Sequence, residues 1–516
     1  MLTTVYRLVV VVTTLCIWCT TARAAKMLIP MDATGQSSHL KAYGAMYAAL
    51  AQGTPVDWLL NYRGGSYGTD YSPAMEQMCN SRNVSFIKMS NAEYAGLIKK
   101  VNAKDANTAI IKLEQAPRIA VYTPPGKKPW DDAVTLALTY AEIPFTKLYA
   151  SEVLAGDLRR YDWLHLHHED FTGQYGKFWA QFHDKEWYVS EQEEAQALAR
   201  KNGYKKVAQL QLAVVKKINA FVSAGGNLFA MCSATDTYDI ALAADGVDIC
   251  DSVFDGDPMS PDAQRRLDYS KCYAFRDFTL VTSPWVYEYS SIDNTSFRSL
   301  PEAYDSFVLN SFAVKTNAVP AMLTQSHERV IKGFMGQTTA FRSETLKPGI
   351  VVLAESRVPG EARYIHGDHG KGTWTFYGGH DPEDYQHMVN DPVTDLGLHP
   401  SSPGYRLILN NVLFAAARRE TPAVAQNRAE EPATAAPAGE KPMAQRVKMY
   451  PDADNTQLII MLDTRIKEVV IADHTGKEVY RKTYNTDRVS VDMTGMQPGM
   501  YQITVNGQSA GKIVKH

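Results

Sequence analysis

An α/β fold of two doubly wound units with parallel sheets, the second carrying a β-rich insertion, and a small C-terminal antiparallel β-sandwich are predicted from three features of the 516-residue sequence. Short apolar runs alternate with amphipathic stretches from Lys26 to Arg419, as strand–helix–strand crossovers require. That alternation lapses between about 247 and 345, where aromatic runs carry little helical period. Beyond a segment rich in Ala, Pro and Glu, apolar and polar residues alternate in short runs broken by turn residues. A hydrophobic content of 45% and a formal charge of −3 describe globular material, without the basic footprint of a nucleic-acid binder.

The elements follow in order. Residues 1–25 carry Arg7, an apolar run from Leu8 to Cys19, then Ala22-Arg23-Ala24, the layout of a cleaved secretory signal. Its apolar core is too short for a membrane anchor, so no transmembrane segment is expected in the mature chain. An N-terminal α/β unit, 26–115, has strand candidates at 26–30, 56–60 and 84–88 and helix candidates at 39–52 and 73–82. Within it, Asn61-Tyr62-Arg63-Gly64-Gly65 reads as a tight turn or, through Arg63 and its amides, as an anion-binding one. The second unit, 116–419, runs strand 118–122, helix 130–142, strand 145–149, helix 151–158, strand 161–167, helix 207–224 and strand 227–231. After the insertion come strands at 350–353, 363–366 and 372–377 and a helix at 405–418. Residues 420–446 form a disordered linker, and 447–516 the β-sandwich.

The chemistry centres on Cys232. A buried strand over 227–231 delivers it to a sharp turn, and a helix beginning near Ala234 points its amide dipoles at the sulfur. A thiol nucleophile needs a base and a group that orients the base. Gly378-Gly379-His380-Asp381-Pro382-Glu383 supplies both after the strand 372–377: His380 as base, with Glu383 or Asp381 as orienter. A cysteine ending a buried strand is also a common packing residue. Six cysteines include Cys16 and Cys19 in the signal, which leaves Cys79, Cys232, Cys250 and Cys272; a single bridge from Cys250 to Cys272 is the candidate disulfide.

The run Trp163-Leu164-His165-Leu166-His167-His168-Glu169-Asp170-Phe171-Thr172-Gly173 is the second constellation. Alternation puts His165, His167 and Glu169 on one strand face, which suits either a metal ion or a hydrogen-bonded polar wall. The polar wall is favoured, with His168 and Glu169 at the sheet edge beside Cys232, and no cofactor is expected. The stretch from Gly333 to Ala340 could line a groove for a sugar or peptide.

An elbow cysteine on small neighbours and a later strand ending in His with a nearby Glu resemble the class I glutamine amidotransferases. The resemblance implies a flavodoxin-like sheet, an amide or acyl substrate, and an oxyanion site to which Thr172 and Gly173 would contribute amides. Ala230 and Ala234 stand where that family has glycines, and His380-Asp381-Pro382-Glu383 is one residue longer than its His-Pro-Glu. The body also resembles exported Bacteroidetes proteins labelled asparagine synthetase B, through Trp130 to Val134, Trp163 to Lys177, Phe229 to Asp239 and Gly372 to Gln386. ATP-dependent asparagine synthesis is not expected, because the chain has no Ser-Gly-Gly-x-Asp-Ser loop and the mature chain would begin near Ala25, not at a cysteine. Val447-Lys448-Met449-Tyr450-Pro451, Met496-Gln497-Pro498-Gly499-Met500-Tyr501 and the basic end at Lys512 to His516 resemble the type IX secretion C-terminal sorting domain. That resemblance implies a partner, the type IX machinery, and a secreted product or one anchored at the outer cell surface after the domain is processed. Two functions follow for the body: a cysteine-dependent hydrolase of an amide or acyl bond in a small-molecule, glycan or peptide substrate, or a non-catalytic glycan- or peptide-binding protein using the same cleft.

Overall fold

The first strands pair through a hairpin, and that fixes the N-terminal sheet. The computed structural model describes residues 25–124, 132–294, 305–324, 328–385, 392–417, 447–451, 457–473, 477–497 and 499–515; all of the expected signal but Ala25, and the expected linker 420–446, lie outside these. The N-terminal elements are β1 (Lys26–Ile29), α1 (His39–Ala51), β2 (Val56–Leu60), β3 (Ser66–Asp70), α2 (Pro73–Ser81), β4 (Ile87–Met89), α3 (Asn91–Val101) and β5 (Ala109–Leu113). They form a sheet of order β4-β1-β3-β2-β5 in which every pairing is antiparallel, so the parallel sheet expected for 26–115 is not observed. The cause is local. Asn61, Arg63, Gly64 and Gly65 all take positive φ and turn β2 straight back into β3, leaving no length for a crossover helix. Arg63 in that turn pairs with Asp32 at 2.5 Å, so its charge is already met.

The main sheet follows the expected pattern more closely. Its elements are β6 (Ile119–Tyr122), α4 (Ala133–Tyr140), β7 (Thr146–Leu148), α5 (Ala150–Ala155), β8 (Trp163–Leu166), α6 (Trp179–Phe182), α7 (Glu186–Lys201), α8 (Val207–Ser223), β9 (Asn227–Met231), α9 (Ala234–Ala243), α10 (Ser252–Asp255), β10 (Ser306–Leu309), β11 (Val330–Lys332), β12 (Phe341–Arg342), β13 (Val351–Ser356), β14 (Glu361–His369), β15 (Gly372–Tyr377) and α11 (Pro403–Phe414). The order is β11-β10-β13-β14-β15-β9-β8-β6-β7, with β12 on β14. Strands β15, β9, β8, β6 and β7 run parallel, and the remainder extend the sheet antiparallel.

Both faces of the parallel part are covered, and the sequence alternates between them. Ile119, Val121, Trp163, Phe229 and Met231 enter one core, while Ala120, Tyr122, Leu164, Leu166, Leu228 and Ala230 enter the other. The first core also takes in β1, β2, α1, α4 and α11, so residues 26–115 share their interior with the second unit, and contacts group the described residues from 25 to 417 as one body. Gly44 permits this: a Cβ there would lie 1.6 Å from the Ala141 carbonyl oxygen. Among the described residues, the expected β-rich insertion is mostly irregular. Its aromatic residues Tyr273, Phe275, Phe278 and Tyr289 are buried in the second core, and its strands β10 and β11 join the main sheet. Asp239 of α9 anchors it by accepting the N–H groups of Tyr273, Ala274 and Phe275.

The C-terminal unit contains β16 (Val447–Pro451), β17 (Gln457–Ala472), β18 (Glu478–Asp492), β19 (Gly499–Val505) and β20 (Gln508–Lys515), all paired antiparallel. Strand β18 follows β17 along both halves, while β16 takes the first half and β19 the second. The register breaks between Met461 and Ile466, which lets one bent sheet gather Leu458, Ile460, Val469, Ile471, Val491 and Ile503 into its own core. Among the described residues of both units, no helix is long and apolar enough to cross a membrane.

Candidate active site

Strand order decides where a site can form. From β6 the chain moves to β7 on one side and then to β8 on the other, which makes the carboxyl ends of β6 and β8 a topological switch point, where open α/β sheets place their ligands. Four segments end there: Asp132 caps α4 after β6, His167 and His168 follow β8, Cys232 follows β9, and His380 follows β15. The elbow is closed by backbone bonds: Cys232 N–H donates to the Gly379 carbonyl and Ala234 N–H to the His167 carbonyl, each at 3.1 Å.

Cys232 takes φ +50°, a strained left-handed conformation for a residue with a Cβ, between the end of β9 and the start of α9. Its side chain is only 3% exposed. Gln337 N–H donates to the sulfur at 3.3 Å, and the amides of Ser233 and Thr338 also point toward it. Burial pushes the thiol above its ordinary pKa, while these three amides act against that shift. The stretch from Gly333 to Ala340 therefore covers the thiol. The Gln337 side-chain amide pins it by donating to the Gly176 carbonyl at 2.8 Å and the Tyr287 carbonyl at 3.3 Å. Gly379, at φ +105°, is required here, since a Cβ would lie 2.1 Å from the Phe334 ring.

Three imidazoles gather at the same strand ends. His380 lies 4.5 Å from His167 and 5.5 Å from His168 between ring centroids, and His167 and His168 are 4.4 Å apart. Behind them, Asp132 accepts from Val134 N–H at 2.8 Å and Thr135 N–H at 3.2 Å, and its Oδ1 faces His165 Nε2 at 3.1 Å and His167 Nδ1 at 3.2 Å. Burial raises the Asp132 carboxyl, but the two imidazoles outweigh it and hold its pKa well below the usual carboxylate range. Burial, aided by His167, pushes His168 down to about 3. Burial lowers His167 as well, against the pull of Asp132. Burial raises Glu169 to about 8 and Asp236, which accepts from the Thr338 hydroxyl at 2.9 Å, to about 7.

Several expected partners are turned elsewhere. The Glu383 carboxylate meets His399 at 3.3 Å and Lys332 at 3.8 Å, while Asp381 accepts from the Tyr405 hydroxyl at 2.7 Å and from Glu383 N–H at 2.9 Å. Thr172 gives its N–H to Asp170 at 2.7 Å, and Gly173 packs against Ala208. The amides on the sulfur come instead from residues 337 and 338, within the stretch expected to line a groove. Within the set that alternation places on one strand face, His165 faces the Phe229 carbonyl with one nitrogen and Asp132 with the other, and Glu169 accepts His167 N–H at 2.8 Å. Cys79, Cys232, Cys250 and Cys272 are all free. Cys250 donates to the Thr172 carbonyl and Cys272 to the Asp239 carbonyl, so the candidate bridge does not form: the two thiols are anchored on different elements. Asp132 was not singled out from sequence; its signal was an acidic residue opening a helix directly after a strand.

Residues 448–516 match the model of the secretion system C-terminal sorting domain. They are a type IX sorting domain. The protein is therefore secreted or held at the outer cell surface, and its C-terminal unit engages the type IX machinery. No curated protein matches the chain. Among solved structures, the cytoplasmic protein STM3548 of Salmonella typhimurium is 10% identical with a TM-score of 0.30, covering 59% of this chain and 100% of its own. A second Salmonella typhimurium cytoplasmic protein, STM1381, is 12% identical with a TM-score of 0.29, covering 58% and 100%. The β-galactosidase of Rahnella sp. R3 is 13% identical with a TM-score of 0.22, covering 76% of this chain and 41% of its own.

Proposed function

We propose that the exported body is an amidotransferase-like thiol hydrolase of an amide or related acyl bond, with Cys232 as nucleophile and His380 as base. The left-handed backbone of Cys232, at a strand-to-helix elbow with three amides on its sulfur, carries this reading. His380 takes the thiol proton, the sulfur adds to the carbonyl carbon, and the departing amine receives that proton; water then hydrolyses the thioester. The amides of Ser233, Gln337 and Thr338 favour the thiolate, and His168 and Glu169 shape the pocket wall. With the carboxylates of Asp381 and Glu383 engaged by Tyr405, His399 and Lys332, the reading rests on Cys232 and His380 alone. Substrate entry requires the cover at Gly333 to Ala340 to lift.

A second reading, non-catalytic binding of a glycan or peptide, is favoured by the aromatic rim next to that cover. Trp285 is 67% exposed and stands 5.0 Å from Trp179. Alkylation of the folded full chain with iodoacetamide, mapped by mass spectrometry, separates the two. A thiol hydrolase labels at Cys232 ahead of Cys79, Cys250 and Cys272, and His380→Ala slows that labelling. Cys232 labelling no faster than the other three cysteines refutes the hydrolase and leaves the binding protein.

A further inference from the structure

The histidine wall holds an unanswered nitrogen. His167 is 2% exposed; its Nδ1 stands 3.2 Å from the Asp132 carboxylate as an ion-pair contact without hydrogen-bond alignment, and its Nε2 is buried with no hydrogen-bond partner among the described residues. Buried polar atoms are almost always satisfied, so an orphaned ring nitrogen facing other imidazoles calls for a ligand. Potential ligand nitrogens of His167, His168 and His380 lie within 4.8 Å of one another. In a tetrahedral zinc site with Zn–N distances of about 2.0–2.1 Å the ligand nitrogens stand about 3.3 Å apart, so closing the set takes side-chain rotations of about an ångström.

We propose that His167, His168 and His380 form a binding site for a divalent transition metal of the zinc class. Three imidazoles suit zinc over the hard cations, and three protein ligands leave a fourth position open to water or substrate. Asp132 supports the site electrostatically: its carboxylate, held by the first amides of α4, stands 3.2 Å from His167 Nδ1 and favours a proton there, which leaves Nε2 as the metal-facing atom. Asp132 Oδ1 accepts from two amides and meets His165 Nε2 at 3.1 Å, which places this carboxylate in a supporting position behind the imidazoles. The cluster of Asp248, Cys250 and Asp255 is no rival, since the Lys206 ammonium sits on Asp248 at 2.5 Å and on Asp255 at 3.0 Å.

The test uses the full chain, stripped with EDTA, desalted into metal-free buffer and titrated with zinc sulfate against a chromogenic chelator; circular dichroism checks each variant's fold. One equivalent of zinc should bind the wild type. Asp132→Asn should weaken it about 10–100-fold, and His168→Ala and His380→Ala should weaken it more. Cys232→Ala should keep its zinc, which separates this site from the thiol reading above. Cobalt(II) should give the visible bands of a tetrahedral nitrogen site in the wild type and Cys232→Ala, and lose them in His168→Ala. No stoichiometric zinc in the wild type, or zinc binding that folded His168→Ala and His380→Ala leave unchanged, overturns the proposal.

Discussion

Cutting the pin on the thiol's cover gives the sharpest test of how the site opens. In Gln337→Ala the backbone amide that reaches Cys232 is retained, while the side-chain bonds to the Gly176 and Tyr287 carbonyls are lost. Each such bond is worth about 1 kcal/mol net, so the closed state should lose about 2 kcal/mol, or slightly less given the 3.3 Å length of the second bond. At a factor of ten per 1.4 kcal/mol, the open fraction should rise about 10- to 30-fold. Labelling of Cys232 requires that opening, because the thiol is 3% exposed. Iodoacetamide rates, followed peptide by peptide, should therefore rise by that factor at Cys232 alone. Cys79, Cys250 and Cys272 are buried thiols in the same chain and serve as internal controls. An unchanged rate at Cys232 refutes the idea that the stretch from Gly333 to Ala340 gates it. An equal rise at all four thiols refutes it too, since that reports general loosening of the fold.

Other outcomes follow from the same structure. His366, buried in β14 with its pKa lowered to about 4, stays neutral in the fold while the unfolded chain protonates near 6.5; stability present above pH 6.5 should fall by about 3 kcal/mol as pH drops to 4, and denaturant titrations of His366→Gln should lack that share of the slope. Gly44→Ala forces a Cβ against the Ala141 carbonyl and should cost about 1–3 kcal/mol or more, read as a lower melting temperature. Arg363→Met leaves the buried Asp305 carboxylate without its guanidinium and should destabilise the body by about 3–5 kcal/mol in denaturant, with partial recovery in the Asp305→Asn double variant. On the two proposals above, metal and thiol share His380, so zinc at saturation should slow alkylation of Cys232 and EDTA should restore the rate.

The parallel core was legible because its strands are covered on both sides and its crossovers are helical, so each strand reads as an apolar run followed by a 3.6-residue period. The N-terminal sheet misled for a physical reason. Ser66 to Asp70 is short, contains Gly68 and lacks a bulky apolar run, so β3 gave no strand signal, and without it the neighbouring strands looked separated by helices. Had Asn61 to Gly65 been taken as a hairpin turn between two strands, the antiparallel order would have followed. The aromatic runs of the insertion looked like strands because Tyr and Phe favour sheets. They instead fill the core against α9, held by burial and by isolated bridges such as Phe275 to Leu346 in place of extended strands.

At the site, what could be read were the residues that a strand's end positions by itself: Cys232 after β9, His380 after β15, and His167 and His168 after β8. What could not be read were contacts made across the fold. Gln337 lies 105 residues from the sulfur it caps, and no periodicity marks it. Asp381 and Glu383 were drawn toward His380 by proximity in sequence, yet their carboxylates meet Tyr405, His399 and Lys332. The carboxylate that does organise imidazoles is Asp132, which reaches His165 and His167 from a helix cap in another segment. This arrangement constrains the chemistry more than a triad motif would. On the proposed reading, His380 would serve the thiol only while no cation occupies the three histidines, and the thiol would meet substrate only while the cover is raised. Two conditions would thus govern alkylation of Cys232, one relieved by EDTA and the other by Gln337→Ala. If the two conditions are independent, their effects on the alkylation rate multiply; a doubly treated protein no faster than either single one would place the cover and the histidine wall in the same opening event.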